Sequence, residues 1–186
     1  METVRVGVIG LGSVSEKYVP HVRRLNLEGT PCEIVIGCDL RPEQAGRARD
    51  WGIPVFTTDY REVLDHPGVD VVLILTGMQT HGHLTRAALN SGKHVLVEKP
   101  MSMDLADAAE LVDLARVSKG HLVCAPHVTL SRTYQEMWRH IHGGSIGRPH
   151  VAAALVAAGH ADDSADAYDR FLADGAPAYV PHEALA

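Results

Sequence analysis

The sequence predicts a doubly wound α/β domain, in which helices cover both faces of a parallel β-sheet. Short runs rich in β-branched residues alternate with longer segments of helical periodicity as far as about residue 125. Several of the short runs are apolar throughout, as expected of strands that are buried on both faces. Repeated strand–helix order implies right-handed crossovers between parallel strands.

Six strands and six helices are expected. The predicted strands are 4–9, 33–38, 54–56, 70–75, 94–97 and 121–124. The predicted helices are 13–27, 42–51, 59–65, 80–91, 104–118 and 131–142. Because the sixth strand ends at Cys124, the first domain is expected to close near residue 125.

The segment 104–118 carries the clearest helix signals. Ser102 or Asp104 can cap its start, and Arg116 lies near its end, where a cation interacts favourably with the helix dipole. Five residues at helical spacing form its predicted inward stripe: Leu105, Ala108, Ala109, Val112 and Ala115.

Composition and charge argue against several classes of protein. The chain has 186 residues, a formal net charge of −6 and a sequence pI near 6.0, so no nucleic-acid surface is expected. No apolar run approaches the roughly 18 residues that a membrane span needs, and the N-terminus lacks the features of a signal peptide. Three widely spaced cysteines and twelve histidines without an HExxH motif predict no metal site. Buried, reduced cysteines are typical of a cytoplasmic protein, which is the expected location.

The first predicted strand runs into the turn GLGSVS, which has the spacing of a dinucleotide-binding loop. Gly10 permits a tight turn out of the strand, and Gly12 has no Cβ, so backbone amides can approach a pyrophosphate. Ser13 and Val14 then open a helix whose positive end faces the phosphates. Ser15 stands where the pattern usually has its third glycine, and its small side chain suits close helix–strand packing. The strand–turn–helix context predicts a Rossmann-type nucleotide site.

The second predicted strand ends at Asp39, followed by Leu40 and Arg41. An acid at this point can accept both hydroxyls of an adenosine ribose and repels a 2′-phosphate, which favours NAD over NADP. Arg41 weakens this preference, because a nearby arginine can accommodate the phosphate. The alternative interpretation is that Asp39 is a turn residue before Pro42.

The fourth predicted strand ends at Thr76 and Gly77, at the edge where open parallel sheets bind their ligands. His81 follows at the start of the next helix. Taken alone, His81 could be an ordinary helix-start residue in contact with solvent.

The fifth predicted strand ends in GKHVLVEKP, an opposite-charged pair followed by proline, where a turn normally uses Gly, Asn or Asp. With this motif the sequence resembles the Gfo/Idh/MocA oxidoreductases, which are NAD(P)-dependent dehydrogenases of sugars, inositols and related compounds. The resemblance runs from about Val4 to Pro149. The segments that carry it are VRVGVIGLGSVSEKY, CDLRPEQA, THGHLTRAALNSGKHVLVEKPMSM and GGSIGRP.

The resemblance implies a role for each residue of this strand end. Glu98 is expected to contact the nicotinamide ribose, and Lys99 is the expected catalytic residue, bonded to the substrate oxygen that gains or loses a proton. Pro100 is expected to direct Lys99 into the cleft, in related proteins often through a cis bond. His81 and His127 are further expected cofactor contacts. The expected cofactor is NAD, with NADP as the alternative, and the expected substrate is a sugar or polyol.

The sequence departs from the family pattern in two places and in length. Gly77 replaces a proline, and His127 begins a His-Val-Thr segment where Asn-x-Arg is common. Family members are usually much longer, because a second α/β domain forms their substrate pocket and oligomer interface. The expected organisation is therefore a dinucleotide-binding domain, 1–125, followed by a linker helix and the truncated start of the second domain, 126–186.

Two interpretations of the whole chain follow. It is either a truncated oxidoreductase of this type or a non-catalytic NAD(P)-binding module that acts as a sensor or subunit. His182 is a weak candidate for a second acid/base residue and receives no role. Apolar residues of the region 128–158 are expected to be exposed and to favour association, as a homo-oligomer.

Overall fold

The computed structural model describes residues 2–125 and 131–150 of the chain. The described part contains a six-stranded sheet made of β1 (Val4–Ile9), β2 (Cys32–Cys38), β3 (Phe56–Thr57), β4 (Val71–Ile74), β5 (His94–Val97) and β6 (Leu122–Cys124). The strand order is β3-β2-β1-β4-β5-β6, and all neighbouring pairs are parallel. This order and direction confirm the predicted doubly wound sheet.

Helices connect and follow the strands. They are α1 (Ser15–Leu27), α2 (Ala45–Asp50), α3 (Tyr60–Asp65), α4 (His81–Asn90), α5 (Leu105–Val117) and α6 (Arg132–His142). Two single 3₁₀ turns, Pro42–Gln44 and Met78–Thr80, precede α2 and α4. All the predicted strands and helices are present, and their bounds differ from the predicted ones by a few residues at the ends.

The sheet has an apolar core on each face. In β4, Val72 and Ile74 belong to one core, whereas Val71 and Leu73 belong to the other. Successive strand residues point to opposite faces, so a strand covered on both sides is apolar at every position. Helices α3, α4 and α5 pack into the first core, and α1 and α2 pack into the second.

Helix α5 presents a different face to the core from the predicted one. Leu111 is completely buried, and Leu114 and Ala115 pack against the first core. Leu105 and Val112 of the predicted stripe are 87% and 40% exposed. The inward stripe is thus rotated toward Leu111 and Leu114, and it shares Ala115 with the predicted stripe.

Polar contacts explain the orientation of α5. Arg86 of α4 donates to the carboxylates of Asp107 and Glu110. Hydrogen bonds from Ser102 and Arg86 hold the pKa of Asp107 below its usual value. Asp104 caps the helix, as predicted, by accepting from the backbone N–H of Asp107 at 2.8 Å. Apolar spacing could not reveal these contacts, because they come from another helix and from the preceding loop.

The chain divides into two compact units, Met1–Gln135 and Glu136–Ala186. The predicted boundary after residue 125 stays a prediction. Within α6, Met137 and Trp138 are 48% and 56% exposed, whereas the residues after 150 lie outside the described part. The predicted association through this region also stays a prediction.

No helix within 2–125 or 131–150 is long and apolar enough to cross a bilayer.

Two leucines of α5 test its orientation. Leu111→Ala is expected to lower the free energy of unfolding by about 3 kcal/mol, because truncation of a buried leucine removes apolar contacts and leaves a cavity. The matched control Leu105→Ala, on the exposed side, is expected to change it by less than about 0.5 kcal/mol. Urea denaturation of both variants measures the difference, and equal losses would contradict the orientation.

Candidate functional site

The parallel strands bring the predicted site residues to one edge of the sheet. A cavity of about 590 Å³ lies there, at the ends of β1, β2 and β4. It is lined by nine of the predicted cofactor contacts: Gly10, Gly12, Ser13, Val14, Asp39, Leu40, Arg41, Thr76 and Gly77. Lys99 and Glu98 follow β5, which pairs with β4, so they lie at the same edge without lining this cavity.

The turn after β1 needs glycine at its first position. Gly10 has a φ of 98°, and a Cβ there would lie 2.6 Å from the carbonyl carbon of Leu75. A Cβ on Gly12 would meet nothing closer than Arg41 Nη2 at 3.9 Å, so the space beside this residue is open. Ser15 is completely buried and donates to the Gly12 carbonyl. No side chain of the described residues caps α1, which leaves the positive end of the helix free to face an anion.

Asp39 is a buried carboxylate at the end of β2. It accepts from the backbone N–H of Leu11 at 2.9 Å and from that of Arg41 at 3.0 Å. The Arg41 guanidinium also donates to it, through Nε at 3.1 Å and Nη2 at 3.3 Å. Burial raises the pKa of Asp39, but these hydrogen bonds outweigh it and hold the pKa below its usual value. The carboxylate is therefore ionised at neutral pH, and Arg41 compensates its charge.

The loop after β4 forms another wall of the cavity. Thr80 Oγ1 donates to the Gly77 carbonyl at 2.9 Å and lies 2.7 Å from Thr76 Oγ1. Gly77 has a φ of −68°, which is the value that proline imposes. The backbone thus adopts a proline-compatible conformation at the position where the sequence departs from the family pattern.

His81, the first residue of α4, does not line the cavity, and the cofactor contact expected of it stays a prediction. Its ring is 1% exposed and lies between two loops. Nδ1 is 2.7 Å from the Pro100 carbonyl oxygen, and Nε2 is 3.1 Å from the Thr76 carbonyl oxygen. Carbonyl oxygens only accept, so a neutral ring donates to one of them and a protonated ring to both. Both ring nitrogens therefore face carbonyl oxygens of the protein itself.

Glu98 is a second buried carboxylate at this edge. Its Oε1 accepts from the Tyr18 hydroxyl of α1 at 2.7 Å, and its Oε2 accepts from the backbone N–H of Lys99 at 2.9 Å. Burial and the contact with Glu98 raise the pKa of Tyr18 well above its usual value, so the phenol stays a donor. Helix α1, which begins at the glycine turn, thus holds the residue that precedes Lys99.

Lys99 is exposed at the end of β5. The peptide bond between Lys99 and Pro100 is cis, as the resemblance implied. Because β1 and β5 are both parallel to the intervening β4, Lys99 lies at the same edge as the glycine turn.

Sequence reasoning missed several residues of this edge. Tyr18 could have been noticed as the aromatic residue in the first turn of α1, but its partner is 80 positions away. Tyr60 and His83 line the cavity in edge-to-face contact, with the Tyr60 hydroxyl 3.1 Å from His83 Nε2. They come from α3 and α4, and only the fold brings them together.

Two predicted residues lie outside the described part of the chain, namely His127 and His182. The cofactor contact expected of His127 stays a prediction. Within 2–125 and 131–150, no three His, Cys, Asp or Glu side chains are grouped in a way that could hold a metal ion.

Comparison with known proteins agrees with the resemblance. The model of the Gfo/Idh/MocA oxidoreductase family, described as having an NAD-binding Rossmann fold, matches residues 4–125. The chain belongs to this family. The match confirms the predicted family and the predicted nicotinamide dinucleotide as its cofactor.

Individual relatives give the same picture. The chain is 34% identical over 154 residues to 1,5-anhydro-D-fructose reductase of Ensifer adhaerens, covering 82% of this chain and 45% of that protein. It is 32% identical over 151 residues to scyllo-inositol 2-dehydrogenase (NAD(+)) of Bacillus subtilis strain 168, covering 78% and 42%. Levoglucosan dehydrogenase in complex with NADH and levoglucosan superposes with a TM-score of 0.73 at 25% identity, covering 79% and 41%. The chain therefore spans less than half the length of these family members.

Asp39 and Arg41 provide a test of the cofactor site. Asp39→Asn is expected to weaken NAD binding about tenfold, because a charged hydrogen-bond acceptor for the ribose is lost. The substitution is expected to weaken NADP binding less than NAD binding, because it also removes the repulsion between the Asp39 carboxylate and the 2′-phosphate. Calorimetric titration with both cofactors measures the two affinities.

Arg41→Ser is the matched control. It is expected to leave NAD binding within about threefold and to weaken NADP binding, since a cation near the 2′-phosphate is removed. If both substitutions weakened both cofactors equally, the assignment of the ribose to Asp39 would be wrong.

Proposed function

We propose that this chain forms the cofactor-binding part of an NAD-dependent dehydrogenase that acts on a sugar or polyol. The observation that supports the proposal is the arrangement of one sheet edge. A cavity with a glycine turn and an ionised carboxylate lies at the ends of β1, β2 and β4, and Lys99 follows the neighbouring strand β5.

The residues of this edge fit a nicotinamide dinucleotide. The open space beside Gly12 and the uncapped start of α1 suit the pyrophosphate. The Asp39 carboxylate, at the end of β2, suits the adenosine ribose. The loop at Thr76 and Gly77 then leads from the cavity toward β5, where the nicotinamide end would meet Glu98.

The proposed chemistry assigns one task to Lys99. When bound, the nicotinamide supplies the hydride acceptor or donor. The Lys99 amine would hydrogen-bond the substrate hydroxyl and take up its proton as the hydroxyl becomes a carbonyl, and in the reverse direction the ammonium would return it. Glu98, held by Tyr18, would fix the backbone from which Lys99 extends.

The proposed substrate class rests on the relatives. The two curated relatives are named for an anhydro sugar and an inositol, which are both polyhydroxylated rings. In the family the second domain is expected to form most of the substrate pocket, so the particular sugar or polyol is left open.

A non-catalytic function is the second candidate, because the chain spans less than half the length of its relatives. Such a module would bind NAD and act as a sensor or as a subunit completed by another chain. Retention of Lys99 favours the enzyme, since a sensor has no need of a proton-transfer group. Binding of NAD without turnover of any sugar or polyol would favour the module.

We also propose a cytoplasmic location. The support is the state of the cysteines, since Cys32, Cys38 and Cys124 all lie in the described part of the chain and are unpaired. Burial raises the pKa of the Cys38 thiol to about 12, which keeps it protonated and unreactive.

Lys99→Met tests the proposed reaction. Methionine keeps much of the apolar stem but removes the amine, so turnover is expected to fall by at least about a hundredfold, the usual contribution of a general acid–base group. Affinity for NAD is expected to change by less than about threefold, because Asp39 and the glycine turn still hold the cofactor.

The measurement combines an NADH absorbance assay over a panel of sugars and polyols with calorimetric NAD titration. Lys119→Met, on an exposed lysine outside the site, is the control and is expected to behave like the unmodified chain. Turnover that persists in Lys99→Met would rule out the assigned role.

A further inference from the structure

The buried ring of His81 joins the two loops that the proposed function places on either side of the nicotinamide. Thr76, whose carbonyl faces Nε2, lines the cavity. Pro100, whose carbonyl faces Nδ1, directly follows Lys99. One side chain is therefore bonded both to the cofactor wall and to the peptide next to the reactive amine.

The surroundings of His81 show that the two loops are packed closely around it. Its neighbour Gly82 has no space for a side chain, because an added Cβ would lie 3.2 Å from Ser102 Oγ and would collide with the Asp107 carboxylate. Arg86, one turn further along α4, donates to that carboxylate. The start of α4 and the segment after Pro100 are thus held together by direct contact as well as by the ring.

We infer that His81 is a positioning residue that couples the cofactor wall to Lys99. Its bond to Thr76 holds the wall of the cavity, and its bond to Pro100 fixes the chain direction from which Lys99 extends. The inference rests on the proposed function and adds to it a residue that acts through the two loops it joins.

Two amide substitutions separate the two bonds. The amide nitrogen of asparagine lies as many bonds from Cβ as Nδ1 does, and that of glutamine as many as Nε2. His81→Asn therefore keeps a donor for the Pro100 carbonyl and loses the one for Thr76. His81→Gln keeps a donor for the Thr76 carbonyl and loses the one for Pro100.

The readouts are NAD affinity and the environment of Lys99. The chain has four lysines, Lys17, Lys93, Lys99 and Lys119, so ¹³Cε-labelled lysine gives four resolvable NMR signals. His81→Asn is expected to weaken NAD binding about tenfold and to leave the Lys99 signal in place. His81→Gln is expected to shift the Lys99 signal, with the other three signals unchanged, and to leave NAD affinity within about twofold. His121→Gln, on the exposed histidine just before β6, is the control and is expected to change neither.

Each of the two variants is expected to change a different readout. This difference distinguishes a positioning role of His81 from a general structural role. If both variants altered both readouts alike, or if His81→Gln left the Lys99 signal unchanged, the inference would be overturned. If the unmodified chain bound no NAD, the proposed function would fail. The Lys99 signals of the two variants can be recorded without cofactor, so they would still decide the role of the His81 ring.

A third measurement uses the unmodified chain, in case either variant fails to fold. Long-range ¹H–¹⁵N NMR of the histidine rings reports which nitrogens carry a proton. The inference requires a proton on both ring nitrogens of His81, because Nδ1 must donate to the Pro100 carbonyl and Nε2 to the Thr76 carbonyl. A ring in which either nitrogen is unprotonated would contradict it.

Discussion

A continuous row of backbone hydrogen bonds across the carboxyl ends of the strands determines the arrangement of the site. Gly10 N–H donates to the Cys38 carbonyl at 2.8 Å, and Leu75 N–H donates to the Ile9 carbonyl at 2.8 Å. Glu98 N–H in turn donates to the Ile74 carbonyl at 3.0 Å. Since these bonds join the residues just beyond each strand, the glycine turn, the Thr76 loop and Lys99 follow one another along a single edge. Any change that broke the parallel register would separate them.

The side chains at this edge add charge and rigidity to that backbone arrangement. Each of the two buried carboxylates has hydrogen-bond donors, Asp39 from Leu11 and Arg41, and Glu98 from Tyr18 and the Lys99 backbone. A buried charge without such partners would be strongly unfavourable. The same contacts link elements that are distant in sequence, because Tyr18 belongs to the helix that follows the glycine turn. The proposed phosphate end and the proposed reactive end of the site are thereby parts of one hydrogen-bonded structure.

Features with a local cause could be predicted from the sequence. The glycine turn is one, since Gly10 adopts a conformation that other residues avoid and a strand and a helix flank it. The strands are another, because burial on both faces leaves a continuous apolar run such as Val71–Ile74. The motif at Glu98 and Lys99 was informative for a different reason. Its residues received a role from the resemblance to a known family and not from apolar periodicity.

Features that depend on partners distant in the chain could not be predicted. The face of α5 was predicted wrongly in part, because the contact between Arg86 of another helix and Asp107 leaves no trace in apolar spacing. The two partners of the His81 ring, the carbonyls at positions 76 and 100, could not be seen in the sequence, because they lie in two separate loops. Tyr60 and His83 form a wall of the cavity that only the folded chain brings together.

In the proposed complex a dinucleotide lies across the strand ends, with its adenosine at β2 and its nicotinamide at β5. An isotope-filtered NOE experiment on the NAD complex of the chain carrying ¹³Cε-labelled lysine tests this position. We expect NOEs between the nicotinamide ring protons and the Cε protons of Lys99, and none to Lys17, Lys93 or Lys119. NOEs from the ring to another lysine, or an NAD complex in which Lys99 shows none, would contradict it.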